Sequence, residues 1–266
     1  MRQDRPPFAS LRPPQRSWRP AAVFVLAGAI LLAAAGQALA FDDPPDVARL
    51  VSFGGVCQNC SLAGRHLVGA KFIGGNFAGA SLVGADMRGA TFISPNFNGA
   101  DFTRADVRGA TMIGGHFLLA NFSDASLAGL EAHGVEFNSA RFTGAKATGA
   151  DLTVSDLTRA EGRGADFENA NLVHSNLSSG EFEKASFRGA RLVLANLEGG
   201  DFAGADFRGA DFAGATLSGA TLSGANLTNA HNLSQRQLDG ACGDGHPKLP
   251  AGLTLRPCPA KGRHHH

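Results

Sequence analysis

The chain of 266 residues has no tyrosine, a single tryptophan, three methionines and only four cysteines. Phenylalanine supplies 19 of the aromatic residues, and glycine is abundant at 35. High glycine together with one dominant aromatic residue indicates a repeated unit rather than a generic globular sequence. An excess of charge is also lacking, since the formal net charge is +1 at pH 7. The composition therefore gives neither the basic stripe of a nucleic-acid-binding protein nor a strong acidic field.

Motifs that carry catalytic or cofactor chemistry are missing as well. The sequence contains no Ser/His/Asp constellation, no P-loop and no dinucleotide-binding motif that stands out from the glycine-rich background. The histidines do not cluster, and most carboxylates recur just before a large apolar residue, where we expect them to face solvent with ordinary acidity. We therefore predict a protein that is not an enzyme, with no catalytic residue, no cofactor and no metal ion.

The first forty residues form a separate segment. Five arginines and one aspartate precede an uncharged apolar run over residues 21–36, and Ala38-Leu39-Ala40 fits the small-x-small cleavage rule. This layout predicts a signal peptide over residues 1–40, cleaved after Ala40, and hence a periplasmic or secreted protein. The run is short for a membrane span of about 20 residues. An uncleaved membrane anchor is the alternative, because Gln37 is the only polar residue between Pro20 and Asp42.

A period of five residues dominates the rest of the chain. From Leu62 to Leu227, 34 positions are spaced by five without an insertion, and 31 of them are Phe, Leu, Met or Val. A small residue lies two positions earlier in 30 of the 34 cases. Helices would give spacings of three and four, and simple strands would alternate every two residues. The pattern predicts one large and one small inward residue per five, with a chain that turns a corner after each unit.

A second, longer period spans four units of five and relates larger segments. The sequence RGATFISPNF at 88–97 resembles RGATMIGGHF at 108–117, and both resemble VGAKFIGGNF at 68–77. Because the long period contains four units, one coil is predicted to have four sides. Coils stacked at the spacing of β-strands, about 4.8 Å, give a rod roughly 40 Å long.

These units resemble the pentapeptide-repeat family. The resemblance is carried by the pattern Ala-Asp/Asn-Phe/Leu, seen at Ala100-Asp101-Phe102, Ala170-Asn171-Leu172 and Ala205-Asp206-Phe207. It implies an all-β fold, a right-handed quadrilateral parallel β-helix with ladders of Phe and Leu inside. We place this β-helix at residues 57–230.

Short caps are predicted at both ends of the rod. Residues 41–56 form an N-terminal cap, in which Asp46–Phe53 is predicted to be helical, and residues 231–263 form a C-terminal cap. In the latter, the residues from Ser234 to Gln237 have a capping-box pattern that opens a short helix ending near Gly240. Residues 264–266 are three histidines, either native or the remnant of a purification tag.

The four cysteines of an exported chain suggest disulfides. The ends of the rod lie too far apart for a bridge between them, so Cys242 is predicted to pair with Cys258. Cys57 and Cys60 occupy a large and a small inward position, and form either a disulfide of the cap or two buried thiols. A redox site would need a βαβ pattern, which the sequence lacks.

Three positions break the ladder of large residues. Ala132, Ala147 and Gly162 stand where Phe or Leu is expected, and each is separated from the next by three units of the repeat. The simple interpretation is local repacking, since Leu130 compensates part of the volume lost at Ala132. The alternative is a dent in the side of the rod that receives a partner.

The leading functional expectation is a scaffold that mediates protein–protein interaction with an unknown partner in the cell envelope, without binding nucleic acid. Some proteins of the family it resembles mimic DNA and bind DNA gyrase, which is an alternative here, but residues 57–230 carry 17 acids against 13 bases, a weak field for such a mimic. A membrane-tethered spacer is a further alternative if the leader is not cleaved. We expect a monomer, with a dimer as the alternative.

Overall fold

The computed structural model describes residues 52–259, which form a four-sided β-helix with a short C-terminal helix. Five short strands lie on one side and pair in parallel, in chain order. They are β1 (Ser52–Phe53), β2 (Lys71–Ile73), β3 (Thr91–Ile93), β4 (Thr111–Ile113) and β5 (Glu131–His133). The other three sides pair through single bridges between equivalent residues of successive coils, such as Asn76 with Asn96. The longer period of the sequence is therefore one turn of the β-helix, as predicted.

The four faces are numbered from the coil of residues 71–90. Face 1 is residues 71–75, face 2 is 76–80, face 3 is 81–85 and face 4 is 86–90, each with the equivalent residues of the other coils. On every face the large residue of the unit points inward and stacks on its equivalent in the next coil. Phe122 and Phe142, for example, stack with their ring centroids 5.3 Å apart. The continuous apolar core inside the rod supplies the hydrophobic stabilisation that the short strands alone would lack.

Each corner of the rod places one residue in the left-handed region of the backbone. Every fifth residue from Asn59 to Asn229 has a φ near +60°, and glycine holds most of these positions because it lacks a β-carbon. Most corners are closed by a hydrogen bond from the small inward residue to the large one, as from Ala80 N–H to Phe77 O at 3.0 Å. The frequent glycine two positions after the large residue thus follows from the left-handed backbone of the turn, which glycine adopts without strain.

At the N-terminal end, the predicted helix over Asp46–Phe53 is wrong in its last two residues. Ser52 and Phe53 form β1, paired with Lys71 and Phe72 of β2, and the remaining residues of that prediction lie outside the described range. An adjacent strand with open hydrogen-bonding groups gives these two residues backbone partners that the end of a short helix would leave unpaired. Parallel pairing consequently begins at Ser52 rather than at Cys57.

The C-terminal end is closed by α1 (Gln235–Asp239) and the tail that follows it. Ser234 caps the helix and Gln237 completes the capping box, as the sequence predicted, and Gly240 is the C-cap. The tail then adds a partial coil, in which the backbone of Cys242 pairs with Thr221 through a single parallel β-bridge. Leu249, Leu253 and Leu255 pack against the last coil of the core. These contacts cover an end that would otherwise present unpaired strand edges.

Candidate interaction surface

All four cysteines are in disulfides in the structure. Cys57 is bonded to Cys60 across a single corner, and Cys242 is bonded to Cys258, with Cα–Cα distances of 5.4 and 4.7 Å. The second bridge ties the tail to the partial coil that closes the rod. The first occupies inward positions of the first coil and is half-buried against the core. Both bridges therefore fasten the ends of the β-helix.

Face 4 carries bidentate pairs of aspartate and arginine that come from the sequence pattern Ala-Asp-x-Arg-Gly. Arg88 donates to both carboxylate oxygens of Asp86, at 2.8 and 2.7 Å, and Arg108 does the same to Asp106, at 2.8 and 2.6 Å. The Arg88 guanidinium holds the pKa of the Asp86 carboxyl below its usual range. These carboxylates are charged partners of arginines on an open face, so they have none of the properties of a catalytic acid.

Residues 52–259 show neither a cluster of metal-ligating side chains nor a membrane-spanning helix. No group of three or more His, Cys, Asp or Glu side chains in this range is arranged to hold a metal ion. Across the same range, none of the helices has the length and apolar character needed to span a membrane. The predicted signal peptide and the residues 264–266 lie outside the described range.

The three positions that break the ladder do not share a face. Ala132 lies on face 1, Ala147 on face 4 and Gly162 on face 3, and all three are buried. The space over Gly162 is filled by Phe182 of the next coil, because a β-carbon at residue 162 would lie 2.3 Å from Phe182 Cδ1. The position of Phe182 therefore accounts for the missing large residue at Gly162, and the three positions lie on three separate faces of the described rod.

Ser155 marks a change in the corners of face 1 near Ala132. Its buried hydroxyl donates to Ala132 O at 2.8 Å and accepts from Val135 N–H at 3.3 Å. In most corners the N–H of the small inward residue donates directly to the carbonyl of the large inward residue, as Ser155 N–H does to Leu152 O at 3.1 Å. The hydroxyl thus joins the stretch of face 1 that has regular strands to the stretch that has single bridges.

A ladder of isoleucines is exposed on the outside of face 1. Ile73, Ile93 and Ile113 are direct neighbours in the sheet and are 45%, 38% and 48% exposed. Each follows the inward residue of its strand, so the pleat directs it outward. We call this set the isoleucine ladder. The longer period of the sequence was a signal for it, although the position after the inward residue is polar in most other units.

Further along face 1, aliphatic side chains line the corner with face 2. Val154 and Leu194 are 59% and 52% exposed, and both have left-handed φ values, of 61° and 57°. Val173 and Val193 lie beside them on the same face and are half-buried. We call these four residues the aliphatic ridge. None of these four residues was predicted from the sequence, although aliphatic residues at corner positions that favour glycine were a visible signal.

The chain belongs to the pentapeptide-repeat family. The family model described as "Pentapeptide repeats" matches in eight copies, over residues 56–92, 70–112, 120–159, 155–189 and 190–229, which together make up more than half of the chain. The fold class predicted from the sequence, an all-β right-handed quadrilateral parallel β-helix, is confirmed by this assignment together with the parallel pairing of the coils.

Solved structures with similarity to this chain are also pentapeptide-repeat proteins. HetL, involved in the regulation of heterocyst differentiation in the cyanobacterium Nostoc sp. strain PCC 7120, is 26% identical, with 74% of this chain and 93% of HetL covered and a TM-score of 0.41. QnrB1, a plasmid-mediated fluoroquinolone resistance protein, is 23% identical, with 75% of this chain and 93% of QnrB1 covered and a TM-score of 0.32. A search of curated protein sequences gives no significant match.

Proposed function

We propose that this chain is an exported, non-enzymatic scaffold that binds a protein partner in the cell envelope through the aliphatic ridge. The observation that carries the proposal is the combination of exposure and left-handed backbone at Val154 and Leu194. Glycine would hold either corner without strain, whereas an ordinary side chain costs about 1 kcal/mol there. Side chains that destabilise the corner and contribute little burial have a physical reason to be present if they contact another molecule.

Leu194 contributes shape as well as apolar area to the ridge. A β-carbon at Gly214, which holds the same corner in the next coil, would lie 2.7 Å from Leu194 Cδ2, so the leucine leans over that glycine. Val154 does not lie over a glycine in this way, because the equivalent residue of the next coil is His174, which is itself exposed. The ridge is a low apolar step along the corner between faces 1 and 2. A surface of this kind suits a protein partner better than a small ligand, which needs a concave site.

The non-enzymatic character is supported by the state of the reactive side chains. The cysteines are bonded in pairs, and Asp86 and Asp106 are held by neighbouring arginines. Export is supported by the leader sequence and by two disulfides, which persist in oxidising compartments. Because positive and negative charges alternate on face 4, that face also offers no continuous acidic track of the kind that a mimic of DNA requires.

The proposal is tested by photo-crosslinking in the cell that makes the protein. A photoreactive amino acid at residue 194 should give a crosslinked partner, and the same group at residue 208 on face 4 should not. The Val154→Gly and Leu194→Gly variants should keep or raise the unfolding midpoint and weaken the binding of the isolated partner. Equal crosslinking from both positions, or unchanged affinity in both glycine variants, would contradict the role of the ridge.

A further inference from the structure

A second surface of face 1 has features that the proposed function does not use. We propose that the outer side of β2–β5 is self-complementary, and that two copies of this chain pack there with their rod axes antiparallel. The inference goes beyond the aliphatic ridge, which lies in later coils. It rests on the isoleucine ladder and on two charged residues, one on β2 and one on β5.

The outward residues of β2–β5 form two columns. One column contains, in register, Lys71, Thr91, Thr111 and Glu131. The other contains Ile73, Ile93, Ile113 and His133. Within each column, successive residues are separated along the rod by the distance between neighbouring strands, about 4.8 Å. The first column thus begins with a cation, ends with an anion and has two identical residues between them.

A twofold axis along the strand direction, between β3 and β4, brings this surface onto itself. The rotation reverses the rod axis but keeps each column opposite its own copy. Lys71 of one copy then faces Glu131 of the second copy, and the symmetry creates this pair twice. At the centre, Ile93 faces Ile113 and Thr91 faces Thr111. The outermost apolar residue, Ile73, faces His133.

Charge is the reason to prefer a second copy over another partner. Within residues 52–259 no ion pair involves Lys71 or Glu131, and both side chains are exposed. Lys71 and Glu131 lie at equal distances from the midpoint between β3 and β4. A twofold interface, in which residue i meets j and j meets i, requires this placement. Four strands cover only about 20 Å of the rod, so the buried area is small and the dimer is expected to be weak, with a Kd in the micromolar to millimolar range.

The test is sedimentation equilibrium of the purified, oxidised chain at low salt, up to about 1 mM protein. The unaltered chain should dimerise reversibly. The Lys71→Glu variant places Glu opposite Glu at both ends, and the Glu131→Lys variant places Lys opposite Lys, so each should weaken the dimer by about tenfold or more. The double variant should regain the dimer, because it restores opposite charges.

An equimolar mixture of the two single variants gives the sharpest result. In their heterodimer both charged pairs are again of opposite sign, so the mixture should associate more tightly than either variant alone. Leu194→Thr is the matched control. Residue 194 lies beyond the part of face 1 that the second copy covers, so this change should not affect the dimer. All variant positions are exposed, and unchanged unfolding midpoints check their folding. A chain that stays monomeric to about 1 mM, or a dimer that ignores the charge exchanges, would overturn the inference and leave the proposed binding by the aliphatic ridge unaffected.

Discussion

The ring of Phe182 lies against Gly162 of the preceding coil, in the space that a β-carbon at residue 162 would occupy. That β-carbon would be 2.3 Å from Phe182 Cδ1, and one at Gly180 would be 2.4 Å from Phe182 Cε2. The ring is therefore held between two glycines. It also stacks on Phe202, with ring centroids 5.6 Å apart. A large residue is missing from the ladder at position 162 because its neighbour takes the volume.

Substitution of Gly162 by alanine should destabilise the rod. The φ of Gly162 is not left-handed, so the cost comes from the contact with Phe182, and we expect a loss of about 1–3 kcal/mol in unfolding free energy. Restoring a phenylalanine at this position should cost more, not stabilise. Denaturant unfolding of Gly162→Ala, of Phe182→Leu and of the double variant Gly162→Ala/Phe182→Leu measures the effect.

The double variant separates the ring contact from other causes. Leucine at 182 removes the ring edge, so the two losses should be less than additive. Gly164→Ala is the control, because its φ of +64° makes it costly for a backbone reason that leucine at 182 does not relieve. Full additivity between positions 162 and 182 would contradict the packing described here.

Replacement of Ser155 by alanine should cost more than replacement of Ser175. Both hydroxyls are buried, but Ser155 is the hydrogen-bond partner of Ala132 O and Val135 N–H, whereas Leu172 O accepts both from the Ser175 hydroxyl and from Ser175 N–H. Ser155→Ala leaves two buried backbone groups without that partner, a cost of about 1–3 kcal/mol. Urea unfolding of the two variants is the measurement, and equal losses would show that the bridge at Ser155 contributes nothing particular.

Acid sensitivity should arise in part from the Asp–Arg pairs of face 4. The pKa values of Asp86, Asp106 and Asp206 are lowered, first by the side-chain hydrogen bonds from the arginine two residues later. A carboxyl whose pKa is lower in the folded state binds fewer protons there than when unfolded. Its stabilisation is present above the unfolded pKa, about 3.9, and is lost as the pH falls through the folded pKa.

The triple Asp→Asn variant at these positions should be less stable at pH 7 and should lose less stability than the unaltered chain as the pH falls below about 4. Substitution of the three partner arginines by glutamine should flatten the same part of the profile. Unfolding midpoints measured from pH 7 to pH 2 check both. If both variants lost stability below about pH 4 as steeply as the unaltered chain, the pairs would make no net contribution to stability.

Much of the fold was predictable because two sequence periods determine it. The spacing of five fixes which residues enter the core, and the longer period of four units fixes which of them are neighbours in successive coils, as Gly162 and Phe182 are. The tilt of the Phe182 ring toward two glycines was not predictable, since it depends on the packing of Phe202 and other rings around it. The strand at Ser52 and Phe53 was missed because a lone apolar segment has no period of its own.

The interaction surface was less accessible to sequence reasoning. The ladder-breaking residues were considered as a dent, but the four-unit register already places Ala132, Ala147 and Gly162 on three different faces. Exposure of Ile73 and Leu194 depends on corner geometry and on the length of each strand, which the repeat pattern does not specify. The Asp86–Arg88 pair could have been predicted from the sequence, because both residues are outward positions of the same unit.

Export of the chain can be measured by cell fractionation followed by intact mass under non-reducing conditions. We expect a periplasmic or secreted product that begins at Phe41 and is lighter than the reduced chain by two hydrogens for each of its two disulfides. A full-length product in the membrane fraction would support the tethered spacer instead. A full-length, reduced, cytoplasmic product would contradict the claim of export and redirect the search for a partner to the cytoplasm.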